Sequence, residues 1–93
     1  MEPTDVVHNA QASRFELHLQ GQQAFAHYEL VDGVMWLDHT ETPPALQGRG
    51  LAAKVVRAAL DHARAHGLQV RPACSYVRAY LRRHPEAQDL VAP

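Results

Sequence analysis

Regular alternation of apolar and polar side chains predicts strands in the first third of the chain. Residues 13–20 and 24–31 each carry apolar side chains at every second position, which is the pattern of a strand with one buried face. A shorter apolar stretch, residues 6–9, is compatible with a further strand. Because only short turns separate these stretches, neighbouring strands are expected to run antiparallel.

Asp32 and Gly33 separate two apolar runs and predict a two-residue hairpin turn. The strand that follows, residues 34–39, is partly apolar on both faces, so it is expected near the centre of the sheet. Trp36 lies in this strand and is expected in the core.

Apolar residues at helical spacing predict a long helix over residues 50–66. The members of this stripe are Leu51, Ala52, Val55, Val56, Ala59, Leu60 and Ala63. A strand over 68–73 and a second helix over 76–84 follow. Ser75 is expected to cap the second helix, and Pro85 is expected to stop it.

The order of these elements predicts an α+β fold in which two helices pack against a curved, mostly antiparallel sheet. The return from the long helix to a strand has the length that a right-handed crossover needs. The chain has 93 residues, which suits one core, and we expect a single domain over residues 5–93. The tail from Glu86 shows little pattern.

Composition limits the classes of function. Hydrophobic residues make up 46% and charged residues 20% of the chain, and the formal net charge is -1. These values indicate a globular protein with no global attraction to nucleic acid or to an anionic membrane. Apolar runs are shorter than the roughly 18 residues that span a bilayer, and residues 1–5 do not resemble a signal peptide. The single cysteine fits a reducing compartment, so a cytoplasmic protein is expected.

The stretch from Thr42 to Ala52 contains the strongest chemical signal in the sequence. Two prolines keep the chain extended, and Gly48 and Gly50 then allow a sharp turn and close approach of a ligand to the backbone. The helix that follows begins with amide groups that have no partner within the helix, and with the helix dipole they favour a phosphate or diphosphate. Arg49 adds a positive charge beside this anion site.

The hexapeptide Gln47-Gly48-Arg49-Gly50-Leu51-Ala52 resembles the Q/R-x-x-G-x-G/A signature of the GNAT superfamily of N-acetyltransferases. The stretches 39–43 and 72–77 resemble a short, minimal branch of the same superfamily. The resemblance implies a GNAT-like fold whose strands ending near His39 and Cys74 splay apart to form a cleft for acetyl-coenzyme A. It also implies that a backbone amide near residues 39–41 polarises the thioester carbonyl.

The resemblance further implies which residues bind the coenzyme. They are His39, Thr40, Leu46, Gln47, Gly48, Arg49, Gly50, Leu51, Ala52 and Ser75. The chain departs from larger GNAT enzymes because it has no room for the pair of helices after the first strand, which commonly help to form the acceptor site. An open acceptor cleft, or one completed by a partner, is therefore expected.

Four side chains are candidates for the acid and base steps. Cys74 is either an acid or a nucleophile that carries the acetyl group, and its alternative role is that of a small core residue. His39 is the preferred base and Glu41 its rival. Tyr80 is the preferred acid on the last helix, while Tyr76 is expected to pack that helix against the sheet.

Two further groups of residues have alternative readings. His62 and His66 have the i, i+4 spacing of metal ligands, but no third ligand is evident, so no metal is expected. Arg78, Arg82 and Arg83 either help to hold the 3′-phosphate of the coenzyme or form a solvated helix face.

The resulting hypothesis is an acetyl-CoA-dependent N-acetyltransferase that moves an acetyl group to an amine of unknown identity, by direct attack or through acetyl-Cys74. The alternatives are a non-catalytic acyl-CoA-binding module and an adaptor that shares only the fold. The acceptor is expected to be a small molecule or a protein. A monomer or a homodimer is expected, and no membrane partner is expected. The balanced charge argues against nucleic acid as a partner.

Overall fold

The computed structural model describes residues 5–93. The prediction about a signal peptide rested mainly on residues 1–4, which lie outside the described part. The strands are β1 Val6–Asn9, β2 Arg14–Leu19, β3 Gln22–Val31, β4 Val34–Glu41 and β5 Gln69–Pro72; the helices are α1 Leu51–Ala65 and α2 Ser75–Arg83. Short 3-10 helices cover Pro44–Leu46 and Pro85–Leu90.

The five strands form one sheet in the order β1-β2-β3-β4-β5. Every neighbouring pair is antiparallel except β4 and β5, which are parallel because α1 connects them as a crossover. The predicted α+β architecture with a mostly antiparallel sheet is confirmed.

The core lies between the helices and one face of the sheet. α1 contacts strands β1 to β5, and α2 contacts β4 and β5. The predicted apolar stripe of α1 is buried there, apart from the half-buried Ala52. Leu17, Ala24, Ala26 and Leu37 of the sheet are fully buried in the same core, so the alternation read from the sequence identifies the covered face correctly in β2 and in most of β3.

A β-bulge reverses the expected alternation at the end of β4. His27 pairs with His39 whereas the next residue of β3, Tyr28, pairs with Leu37, so Asp38 is an extra residue in β4. Residues 38 and 39 therefore both lie on the exposed face, while Thr40 is turned toward the helices.

The opposite side of the sheet is called the open face below. It is formed by the outward side chains of β2, β3, β4 and β5, among them Phe25, Glu29, Trp36, Asp38 and Glu41. The expectation that Trp36 lies in the core is wrong, because its side chain is 38% exposed on this face. The guanidinium of Arg71 lies over the indole, 5.3 Å from the ring centroid.

Two local expectations also need correction. Cys74, not Ser75, is the N-cap of α2, and no side-chain capping bond is made there within the described residues. The second proline, Pro44, opens a 3-10 turn where an extended chain was expected. The tail, for which the sequence shows little pattern, contains the 3-10 helix Pro85–Leu90, and Val91 forms a parallel bridge with Val70 at the outer edge of β5.

Neither of the two α-helices in residues 5–93 is long and apolar enough to cross a membrane.

Candidate active site

A gap opens between β4 and β5 because the two strands pair over only part of their length. Their parallel register ends where Leu37 lies opposite Pro72. The carbonyl of Leu37 then accepts the amides of both Ala73 and Cys74, each at 3.0 Å. β4 continues to Glu41 while pairing only with β3, so the edge of its last four residues faces the gap.

The segment from Thr42 to Ala52, called the glycine loop below, is anchored at one end and open at the other. Leu46 is fully buried, and the side-chain amide of Gln47 donates to the carbonyl of Thr42 at 3.2 Å. Gly48 and Gly50 have φ values of 83° and 73°, a region that other residues adopt only with strain. A Cβ atom built at either glycine would meet nothing within 4 Å, so the space above them is free.

The N-terminus of α1 is not capped by any side chain in the described part of the protein. Gly50 is the N-cap, and the first turn contains no acidic residue. The first intrahelical amide is that of Lys54, which donates to the carbonyl of Gly50 at 3.3 Å. The preceding amides of α1 therefore lie without an intrahelical partner at an electropositive helix end.

A cavity of about 390 Å³ joins this helix end to the gap. It is lined by Thr40, Thr42, Leu46, Gln47, Gly48, Gly50, Leu51, Ala52 and Tyr76. Most of the residues predicted to bind the coenzyme thus lie around one cavity. Arg49, His39 and Ser75 do not line it; all three are exposed.

Cys74 lies at the inner end of the gap, at the N-terminus of α2. Its Sγ atom is 3.6 Å from Oγ1 of Thr40. Burial raises the pKa of the Cys74 thiol, but hydrogen bonds from the Thr40 hydroxyl and from the amides of Val77, Tyr76 and Thr40 outweigh it, and the pKa is lowered from its ordinary value. This environment favours the thiolate, which is the nucleophilic form of cysteine.

His39 and Glu41 lie on the open face beside the gap. Nε2 of His39 is 3.4 Å from Oε1 of Glu41, and the two side chains are 58% and 59% exposed. Such an exposed pair holds its geometry weakly. The ring of Phe25, 5.8 Å from that of His39, is the other neighbour.

The two tyrosines of α2 lie in different cavities, and Tyr76 is partly buried against the core, as expected for a residue that packs this helix. Tyr76 lines the cavity that contains Thr40. Tyr80 is buried, stacks on His84 with ring centroids 4.0 Å apart, and lines a separate cavity of about 330 Å³ between α1, α2 and the tail. Burial raises the pKa of Tyr80. The role of Tyr80 as an acid stays a prediction, and the geometry favours Tyr76 as the tyrosine nearer the gap.

The remaining candidates are exposed, except for the half-buried His62. A guanidinium nitrogen of Arg78 donates to the carbonyl of Pro72 at 3.0 Å, and Arg82 and Arg83 are exposed. The imidazoles of His62 and His66 stack at 4.0 Å, and His8 approaches His62 at 4.5 Å.

Sequence reasoning missed one polar pair near the gap. Nδ1 of His27 lies 2.7 Å from Oδ1 of Asp38. Both side chains point to the open face by plain alternation, and the regular β3–β4 register, continued beyond Tyr28 and Leu37, would place His27 opposite Asp38. The alternation and the predicted turn at Asp32-Gly33 were therefore the signals that could have found the pair.

Comparisons with known proteins match most of the chain. A family model described as GCN5-related N-acetyl-transferase matches residues 14–90. Protein NATD1 of Mus musculus is 35% identical over 91 residues, covering 95% of this chain and 83% of the relative. Protein NATD1 of Homo sapiens is 34% identical over 91 residues, with coverages of 95% and 80%.

A solved structure has the same fold. The solution structure of a GCN5-like protein from Staphylococcus aureus superimposes with a TM-score of 0.76 at 24% identity, covering 99% of this chain and 91% of that one. The family model matches most of the chain and the NATD1 relatives match nearly all of it. The chain therefore belongs to the GCN5-related N-acetyltransferase family.

Proposed function

We propose that this protein is an acetyl-CoA-dependent N-acetyltransferase that transfers an acetyl group to an amine. The single observation that carries the proposal is the continuity of one cavity from the uncapped N-terminus of α1 to Thr40, which contacts the activated thiol of Cys74. A diphosphate at one end and a thioester at the other match the two ends of this space.

In the proposed complex the diphosphate of the coenzyme binds the amides between Gly48 and Ala52. The open space above Gly48 and Gly50 admits the phosphates, and Arg49 supplies a positive charge from the rim. The pantetheine arm follows the unpaired edge of β4, where main-chain groups of residues 38–41 face the gap. The acetyl group then lies beside Thr40 and Cys74.

The acceptor amine attacks the thioester carbonyl carbon from the side of the open face. A β4 amide stabilises the negative oxygen of the tetrahedral intermediate, the carbon–sulfur bond breaks, and the coenzyme leaves as a thiolate that takes up a proton. His39, with Glu41 beside it, is the proposed base that receives the proton of the amine.

A two-step route through Cys74 is the alternative order of events. The Cys74 thiolate would attack the thioester first, forming acetyl-Cys74 and releasing the coenzyme thiolate, and the amine would then take the acetyl group. The lowered pKa of Cys74 supports this route.

The test is release of free coenzyme thiol from acetyl-coenzyme A with a panel of amines, alongside a mass spectrum of the protein after acetyl-coenzyme A alone. Turnover that is lost in Cys74→Ala, with an acetyl adduct on wild type, supports the two-step route. Turnover that survives in Cys74→Ala supports direct attack. Coenzyme binding without turnover of any amine would instead favour a non-catalytic acyl-CoA-binding module.

The non-catalytic module is kept as a second candidate because His39 and Glu41 are exposed and only loosely paired. A complete absence of coenzyme binding would instead favour an adaptor role. We keep the cytoplasm as the proposed compartment, since the lone cysteine fits a reducing environment.

A further inference from the structure

The cavity of about 330 Å³ between α1, α2 and the tail is called the tail cavity below, and specific contacts fix its walls. Arg64 of α1 donates two hydrogen bonds of 2.9 Å to the carboxylate of Asp89, and a third of 3.2 Å to the carbonyl of Glu86. The side-chain amide of Gln88 donates to the carbonyl of Leu81 in α2 at 3.0 Å. These bonds hold the tail against both helices, so the tail cavity is preformed, as small-molecule sites usually are.

The inner wall of the tail cavity is apolar. It is formed by the buried side chains of Leu60, Tyr80, Ala87 and Leu90. The imidazole of His84 stacks on the ring of Tyr80 and also lines the cavity. Ligand pockets measure roughly 300–1,000 Å³, so this cavity lies at the small end of the range and suits a ligand of about the size of one amino acid.

The hydroxyl of Tyr80 is a polar group of this wall that lacks a partner. Tyr80 is only 6% exposed, yet its hydroxyl makes no hydrogen bond to any of residues 5–93. Burial raises the pKa of this phenol, and the charges of Arg57, Glu86 and Asp61 also act on it. The hydroxyl therefore lies near these three side chains. Because a buried tyrosine hydroxyl usually has a hydrogen-bond partner, its position favours a ligand with a polar group.

The rim of the tail cavity carries both signs of charge. Arg57 and Asp61 form a loose ion pair of 3.9 Å, and their side chains are 77% and 71% exposed. Glu86, on the tail, lies 3.2 Å from the imidazole of His84. The other arginine of the cavity is already engaged by the hydrogen bonds that hold the tail. One guanidinium and two carboxylates are thus accessible to a ligand, and a guanidinium binds a carboxylate with two parallel hydrogen bonds.

We propose that the tail cavity binds a free α-amino acid with an apolar side chain. Arg57 pairs with the carboxylate of the ligand, Asp61 and Glu86 accept hydrogen bonds from its ammonium, and its side chain lies against the apolar wall. The hydroxyl of Tyr80 donates to the ligand carboxylate. A simple anion would leave the two carboxylates of the rim without a partner, and a simple amine would leave the guanidinium without one, whereas a zwitterion satisfies both.

This site is separate from the one proposed for acetyl transfer. No residue that lines the tail cavity also lines the cavity beside the glycine loop. The amino acid is therefore neither the coenzyme nor the acceptor, and the inference does not depend on the proposed function.

Binding is tested by titrating the full chain, labelled with ¹⁵N, with L-leucine and with L-phenylalanine. We expect shifts at the amides of residues 57–64 and 80–90, and none at residues 48–53. Two analogues of leucine are the controls: 4-methylpentanoate lacks the ammonium, and 3-methylbutylamine lacks the carboxylate. Each should bind about fivefold more weakly or worse, because it loses one charged contact. No binding of either amino acid at millimolar concentration, or equal binding of the analogues, would overturn the proposal.

A matched pair of variants isolates the guanidinium. Arg57→Gln removes it from the rim, whereas Arg82→Gln removes an exposed guanidinium of α2 that does not line the cavity. We expect the first variant to weaken leucine binding about tenfold, since hydrogen bonds to a charged group are lost, and the second to change it by less than about twofold. Equal effects in two folded variants would contradict the proposal.

Tyr80→Phe tests the hydroxyl alone, because it keeps the ring and its stacking on His84. We expect leucine binding to weaken about threefold, the effect of one neutral hydrogen bond. The melting temperature should not fall, because the hydroxyl has no protein partner to lose. A lower melting temperature with unchanged leucine binding would show a purely structural hydroxyl and would contradict the proposal.

Saturating coenzyme A is the last arm of the experiment. We expect leucine and the coenzyme to bind at the same time. Displacement of leucine by coenzyme A, or acetylation of leucine by acetyl-coenzyme A in a mass spectrum, would make it an acceptor and overturn the separate site. Leucine binding by a protein that does not bind coenzyme A would keep this inference and remove the proposed function, whereas turnover of acetyl-coenzyme A without amino-acid binding would do the reverse.

Discussion

Replacing Gly50 by glutamate places a negative charge in the space that the proposed diphosphate occupies. Gly50 is the N-cap of α1 and has a φ of 73°. A Cβ atom there meets nothing within 4 Å, so the first atom of the new side chain meets no neighbour. Gly50→Gln has nearly the same size and is the matched neutral control.

The size of the effect follows from two separate contributions. Any non-glycine residue at this left-handed position costs about 1 kcal/mol in stability, and this cost is common to both variants. A carboxylate about 5 Å from one phosphate charge adds roughly 0.8 kcal/mol of repulsion in water and about 3 kcal/mol at an effective dielectric of 20. Gly50→Glu is therefore expected to bind coenzyme A about 4- to 150-fold more weakly than Gly50→Gln.

Calorimetric titration of both variants with coenzyme A measures the difference, and thermal melts establish that both remain folded. Added salt should narrow the gap between them, because screening weakens the repulsion. Equal affinities in two folded variants would refute the placement of the diphosphate at α1.

Three other predictions concern the site and the cluster of His8, His62 and His66. Thr40→Val removes a hydrogen bond to the sulfur and raises the pKa of Cys74, so iodoacetamide should react more slowly at pH 7 than with wild type; an unchanged rate contradicts this cause. Leu46→Ala should lower the free energy of unfolding by about 2–5 kcal/mol, because Leu46 is fully buried; a urea titration showing no loss would disprove its anchoring role. Burial, followed by repulsion from neighbouring imidazoles, lowers the pKa values of His8 and His62. The unfolded chain then binds protons more readily, so the melting temperature should fall as the pH drops below about 6.5, and less so in His62→Gln; a rise on acidification would oppose this sign.

Most of the architecture follows from local patterns. Period-two alternation predicts the strands, and the apolar stripe predicts α1 within one residue at each end. The two prolines and two glycines before α1 mark the loop whose free space the structure confirms. These features are local, so nearby residues determine them.

The features that the sequence did not predict have one physical cause: they depend on packing between elements that are distant in the chain. Trp36 is apolar, but both faces of β4 carry apolar side chains, so alternation does not reveal which of them the helices cover, and this side chain lies on the uncovered one. The bulge at Asp38 reverses the sides of Thr40 and His39 without any signal in composition. The 3-10 helix at residues 85–90 contacts α1 and α2, and this packing against α1 cannot be read from its local sequence.

The most direct test of the account is an NMR titration of the ¹⁵N-labelled protein with coenzyme A. We predict the largest shifts at the amides of residues 48–53, of residues 38–41 at the edge of β4, and of residues 74–77 at the start of α2. Saturating coenzyme that leaves these three segments unperturbed, or that shifts only the cavity around Tyr80, would contradict the account.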